Sequence, residues 1–218
     1  MESDERMGGM AAKKSFHIDY YNIEGSPGGN QDWCKDFWMN LGGCAALAAG
    51  DMAICLSKNY GLKDCCPYDP DSMTRKDYDE YAMILKPYIR PRFNGVTRLS
   101  IFTEGFRHYL MDRGYEPEYE LCVGREDPGK AEQFIIEALS RNLPVACLIL
   151  SHRDPGLKDL NWHWFSLTGY EYKEERFRVI YHTYGEKLAV DFEKLWNTGS
   201  PLKGGLVALK AVNKIRKG

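Results

Sequence analysis

No apolar run in this 218-residue chain is long enough to cross a bilayer. The longest, Cys44 to Leu56, is broken by Asp51 and falls short of the roughly 20 residues a spanning helix needs. There is no basic stripe and no block of like charge, and the net charge is only −2. The bulk electrostatics for holding nucleic acid or a membrane surface are therefore missing, and neither partner is expected. The basic stretch Lys210 to Lys217 reads as a solvated terminus. CxxC pairs, zinc-finger spacing and HExxH are all absent, and the seven cysteines form an odd set. Adjacent Cys65 and Cys66 are poorly placed to pair with each other, so the thiols read as reduced. No cofactor and no metal are expected. The opening Met1 to Arg6 is acidic and leads into no apolar core of a signal peptide, which predicts a cytoplasmic chain. Internal repeats and low-complexity segments are also lacking.

The length fits one domain with a real core. Residues 1–30 mix charge with Gly25, Pro27, Gly28 and Gly29 and read as a loosely ordered arm. Beyond it the first half punctuates as helices. One runs from Cys44 to about Tyr60, with Gly61 as its stop, Gly50 as an internal cost of about 1 kcal/mol and a slim alanine surface. A second opens at Thr74 to Asp77 and ends at Pro87; a third carries Leu99, Phe102, Phe106 and Leu110 at helical spacing. A fourth starts at Asp127-Pro128. Strands are expected at Tyr119 to Val123, Pro144 to Leu150, around His163, over Phe177 to Thr183, at Lys187 to Val190 and at Leu206 to Val212. Helices first and an antiparallel sheet later predict an α+β architecture.

The chemistry concentrates at Cys44. In Asn40-Leu41-Gly42-Gly43-Cys44-Ala45-Ala46, two glycines turn directly into a helix-forming run, which places the thiol at a helix N-terminus. The dipole and N–H groups there favour an anion and predict a lowered thiol pKa. A base is available in Asn161-Trp162-His163-Trp164-Phe165, and a second imidazole follows in Tyr181-His182-Thr183-Tyr184-Gly185. In an antiparallel hairpin, opposed residues have a constant sum and share a face. A two-residue or a four-residue turn within Tyr172 to Glu175 puts His163 and His182 on one face; an odd loop length separates them.

On these residues the chain resembles the papain-like cysteine peptidase superfamily, in bacterial forms related to the bacteriocin-processing type, over about Gln31 to Val212. The resemblance implies a papain-like α+β fold: a helical lobe at about 31–142, with the nucleophile opening its central helix, against a sheet lobe at about 143–213. It assigns Cys44 as nucleophile, His163 as general base and His182-Thr183-Tyr184-Gly185 as the stretch supplying the third member. Asn142-Leu143-Pro144-Val145 looks like the segment that precedes the base. His182 stands where the family has asparagine or aspartate, and Trp38 stands at the oxyanion glutamine position, six residues before the cysteine. Asn40 and Gln31 are the nearby amides left for that role.

The activity this implies is thiol-dependent hydrolysis of an amide or peptide bond. Its partner is a peptide or amide-containing substrate. Acyl transfer would use the same dyad, and a non-catalytic binding module would keep the fold and the cleft. A zinc site from Cys44, His152, His163 and His182 is a further alternative that no ligand motif supports. The oligomeric state leaves no signature.

Overall fold

In the computed structural model, which describes residues 14–215, the chain runs β1 (Ser15–His17), β2 (Asn22–Ile23), β3 (Ser26–Pro27), α1 (Phe37–Gly42), α2 (Cys44–Tyr60), α3 (Arg75–Leu85), α4 (Leu99–Met111), β4 (Tyr115–Val123), α5 (Pro128–Leu139), β5 (Val145–Ile149), β6 (His163–Lys173), β7 (Arg176–Thr183), β8 (Glu186–Asp191), α6 (Phe192–Trp196) and β9 (Gly205–Lys214). The fold is mixed α+β with a seven-stranded antiparallel sheet. Six strands follow in the order β4-β9-β5-β6-β7-β8, and β1 pairs with the part of β6 that β5 does not reach.

The alanine-rich helix α2 is buried from Cys44 through Ser57, because small side chains let it contact β5, β6, α3 and α4 at once. Gly50 is where α3 approaches most closely: a Cβ there would stand 2.7 Å from Leu85 Cδ1. Gly61 ends the helix in the left-handed region, as expected, at φ 68°. The Thr74/Asp77 capping box opens α3, and Asp127 with Pro128 opens α5. At the site end, Trp164 of β6 stacks on Phe102 of α4, centroids 4.4 Å apart, and its indole N–H donates to Val96 O at 2.7 Å. Helix and sheet are thereby joined beside Cys44. No described helix is long and apolar enough to cross a membrane.

Three expectations need correction. Residues 14–30 are not a loose arm: Ile18, Tyr21 and Ile23 are buried in the core, and β1 extends the sheet. The glycines and charges hid the apolar positions between them. The rest of that predicted arm, 1–13, lies outside the described residues. Nor does a boundary near 142/143 separate helices from sheet, because β4 is a sheet strand and α5 contacts β5, β6 and β9. Finally, β4 begins at Tyr115, four residues before the predicted strand. Pro117 is tolerated because β4 lies at a sheet edge, where a missing N–H costs no ladder bond. The short α1 was not anticipated.

Candidate active site

Gly42 and Gly43 shape the position of Cys44 by having no side chain. Gly43 is both the C-cap of α1 and the N-cap of α2, so the two helices meet with a single residue between them. A Cβ on Gly43 would fall 2.4 Å from Met39 O, and one on Gly42 would fall 2.6 Å from Arg92 O. Cys44 therefore opens α2 under a cap that contributes no side chain. Its sulfur is buried, and burial pushes the thiol pKa up. The backbone N–H groups of Trp164, Ala45 and Cys44 itself pull the other way without prevailing. The expected lowering at a helix start is thus overturned by desolvation.

His163 opens β6 and, with Cys44, lines two neighbouring spaces. One is a cleft of about 480 Å³, walled by Leu41, Gly42, Phe93, Gly95, Trp162 and Tyr184. The other is a cavity of about 30 Å³ on the inner side. The ring Nε2 lies 2.7 Å from Thr183 Oγ1, and the ring stacks on Tyr184 at 5.1 Å with planes 6° apart. Burial lowers the His163 pKa to about 4. At neutral pH the resting pair is thus thiol and neutral imidazole, and no hydrogen bond joins the two side chains. Trp162 and Tyr184 hold positive φ, 56° and 51°. For Tyr184 the cause is the two-residue Tyr184-Gly185 hairpin, whose turn requires it.

His182 does not orient His163. The β6–β7 loop is Glu174-Glu175, an even length that by itself keeps the two imidazoles on one face. A bulge intervenes: Gly169 pairs with Ile180 but Leu167 pairs with Tyr181, leaving Thr168 as the extra residue. This one-residue shift sets Ser166 opposite His182 and turns Thr183 to the His163 side. The N-terminal segment holds the bulge, since Ile18 N–H donates to Thr168 O and Thr168 Oγ1 lies 3.2 Å from His17 Nε2. His182 packs on Tyr20 at 4.5 Å, and its Nδ1–H donates to Pro27 O at 3.0 Å. Burial lowers its pKa to about 4. Thr183 was missed as a single residue, although it lay inside the stretch expected to supply the third member.

Of the two candidate amides, only Gln31 lines the cleft. It follows Asn30, which caps the turn Gln31–Trp33, and its Nε2 donates to Asn40 O at 2.6 Å. The Asn40 side chain is exposed and outside the lining, so Asn40 contributes a backbone carbonyl, not an oxyanion donor. The inner cavity also receives Asp51, two helical turns beyond Cys44. Its carboxylate accepts from Tyr21 Oη at 2.5 Å and Ser166 Oγ at 2.6 Å. Burial raises its pKa to about 6 against the pull of those hydroxyls. The signal for Asp51 was present, as the single charge in the apolar stretch. Among the described residues Gln31 Oε1 and His182 Nε2 are buried without a hydrogen-bond partner, and both residues line this cavity.

His152 takes no part: its ring bonds Lys194 O and Asp154 N. Among the described residues no group of three or more His, Cys, Asp or Glu is placed to hold a metal ion. The remaining cysteines are buried, with thiols pushed up to about 12 at Cys34 and Cys65 and about 11 at Cys66 and Cys122. A comparison with models of protein families finds no match for the chain, and a comparison with curated proteins finds none either.

Proposed function

We propose that the protein is a thiol-dependent hydrolase or acyl transferase of papain-like arrangement, with Cys44 as nucleophile, His163 as base and Thr183 as the residue that positions the base. The observation that supports this best is the cleft shared by Cys44 and His163, with ring nitrogen Nε2 held by Thr183. With Nε2–H donated to Thr183 Oγ1, Nδ1 is the nitrogen left to receive a proton. The Cys44 proton passes to His163 as the sulfur attacks a substrate carbonyl. Backbone N–H groups at the start of α2, with Gln31 Nε2, then face the resulting oxyanion. Collapse expels the amine, which takes the proton from His163 and leaves a thioester on Cys44. Water, or an amine, attacks that thioester, returns a proton through His163 and releases the acyl product with the thiol restored.

Because the resting pair is neutral, proton transfer accompanies attack instead of preceding it. The substrate is a peptide or amide. The test is intact-mass spectrometry after incubation with peptide and amide libraries. An acyl adduct should form on Cys44 in the wild type and be absent from Cys44→Ala and His163→Ala. No adduct and no product across broad libraries would refute the proposal.

A further inference from the structure

The cleft continues beyond Cys44. Phe93 lines both the cleft and a neighbouring groove of about 610 Å³, whose other walls include Trp38, Met83, Pro87, Arg90 and Arg92. The loop carrying Phe93 is pinned at the nucleophile by the close approach of Arg92 O to Gly42. The groove is apolar and open: Phe93 is 82 % exposed, Trp38 45 % and Met83 43 %. Its cations differ in their engagement. Lys86 is taken by Asp36 at 2.6 Å, whereas among the described residues no carboxylate lies within ion-pair distance of Arg90 or Arg92.

Building on the thiol reading above, we infer that this groove seats the part of the substrate remote from the scissile carbonyl, an apolar chain or ring that carries an anionic group, either carboxylate or phosphate. Apolar surface covers Trp38, Met83 and Phe93, and the anion answers the two unpaired guanidinium groups, which suit both oxyanion types. A cationic group would find ring faces there but no carboxylate among the lining residues, and it would meet the two guanidinium groups as like charges. Trp38 lies in α1, the helix that leads through Gly43 into Cys44.

The experiment uses chloroacetamides, whose chloride the Cys44 sulfur displaces while its proton passes to His163 and from there to solvent. The amide bears methyl, phenylalkyl, phenylalkyl-carboxylate, phenylalkyl-phosphonate or phenylalkyl-trimethylammonium groups. Intact-mass rates on the full chain should rank both anionic probes first, about tenfold ahead of the cationic one at low salt. Arg90→Glu should close that gap, and Trp38→Ala should slow the anionic probes several-fold more than the methyl probe. Both side chains are at the surface, and Phe93→Ser provides an independent variant. Carboxylate against phosphonate rates separate the two anion types.

A parallel arm measures binding of unreactive 4-phenylbutyrate and phenylbutylphosphonate to Cys44→Ala by calorimetry. Binding that Trp38→Ala abolishes supports the groove. Equal alkylation rates with no binding heat would overturn it and leave the thiol reading standing. A dimer dissociated by Trp38→Ala, with no preference among probes, would assign the face to a second copy and also overturn it. Binding to the groove with no alkylation of Cys44 by any probe would support the groove while refuting the thiol reading.

Discussion

Replacing Thr183 by valine preserves shape and removes one hydroxyl, the one 2.7 Å from His163 Nε2. In the resting protein this deletes a neutral hydrogen bond worth about 1 kcal/mol, so the variant should fold with a slightly lowered Tm. The effect on chemistry is larger. When His163 takes the Cys44 proton the ring becomes a buried cation, and its bond to Thr183 becomes charge-assisted, worth about 1.5–3 kcal/mol. Because the resting bond is lost as well, only the difference of about 0.5–2 kcal/mol enters the barrier, and at about 1.4 kcal/mol per factor of ten proton abstraction slows roughly 2- to 30-fold. The assay is the iodoacetamide alkylation rate of Cys44 from pH 6 to 9, followed by peptide mapping across all seven cysteines. Wild-type Cys44 should react first, because it lines the cleft, and its rate should climb with pH because the thiol is not pre-ionised. Thr183→Val should lower the rate, Thr183→Ser should restore it and His163→Ala should lower it further. Thr183→Val reacting within twofold of wild type, while His163→Ala is slow, would refute the positioning role.

The stability of the whole chain should fall on acidification. His163 and His182 have folded pKa values lowered to about 4, so the unfolded chain binds their protons first, and stability drops as pH falls from about 6.5 to about 4. Asp51, raised to about 6, has the opposite sign over nearly the same window and offsets one of the two histidines. The net loss is a few kcal/mol by urea unfolding at pH 7 against pH 4.5, and Asp51→Asn should steepen it. A flat profile would contradict the buried neutral imidazoles. Gly42→Ala should cost about 1–3 kcal/mol in urea unfolding by forcing Arg92 O away, and should slow Cys44 alkylation as the wall shifts. Gln31→Ala should slow acyl-adduct formation about 100-fold and leave iodoacetamide alkylation, which forms no oxyanion, unchanged. Equal losses in both assays would mark Gln31 as structural.

Much of this architecture is local and was legible for that reason. Gly61, the Thr74/Asp77 box and Asp127-Pro128 act within a few residues, and each ends or opens a helix where the sequence places it. The double glycine before Cys44 was equally readable, since only residues without a Cβ fit that junction. What escaped is non-local. The partner of His163 depends on a bulge that no turn signal announces, and the Cys44 pKa depends on burial, which outweighs the helix start. The arm at 14–30 was misjudged because Ile18, Tyr21 and Ile23 have apolar neighbours only across the folded chain. Asp51 was read as a break in an apolar run, and its hydroxyl partners come from residues 21 and 166.

The clamp on Thr168 gives site assembly an order in time. A hairpin of β6 and β7 forming alone would be free to pair Thr168 with Tyr181 in a regular ladder, and that register brings His182 to the face of His163 and sends Thr183 away. What selects the bulged alternative is contact with His17 and Ile18, across a sequence separation of 151 residues in the His17–Thr168 pair. Closing so long a loop carries an entropic cost that local pairing does not, and such contacts form late. His163 therefore acquires Thr183 as its neighbour only once the N-terminal segment has docked, which would make the proposed chemistry a readout of complete folding.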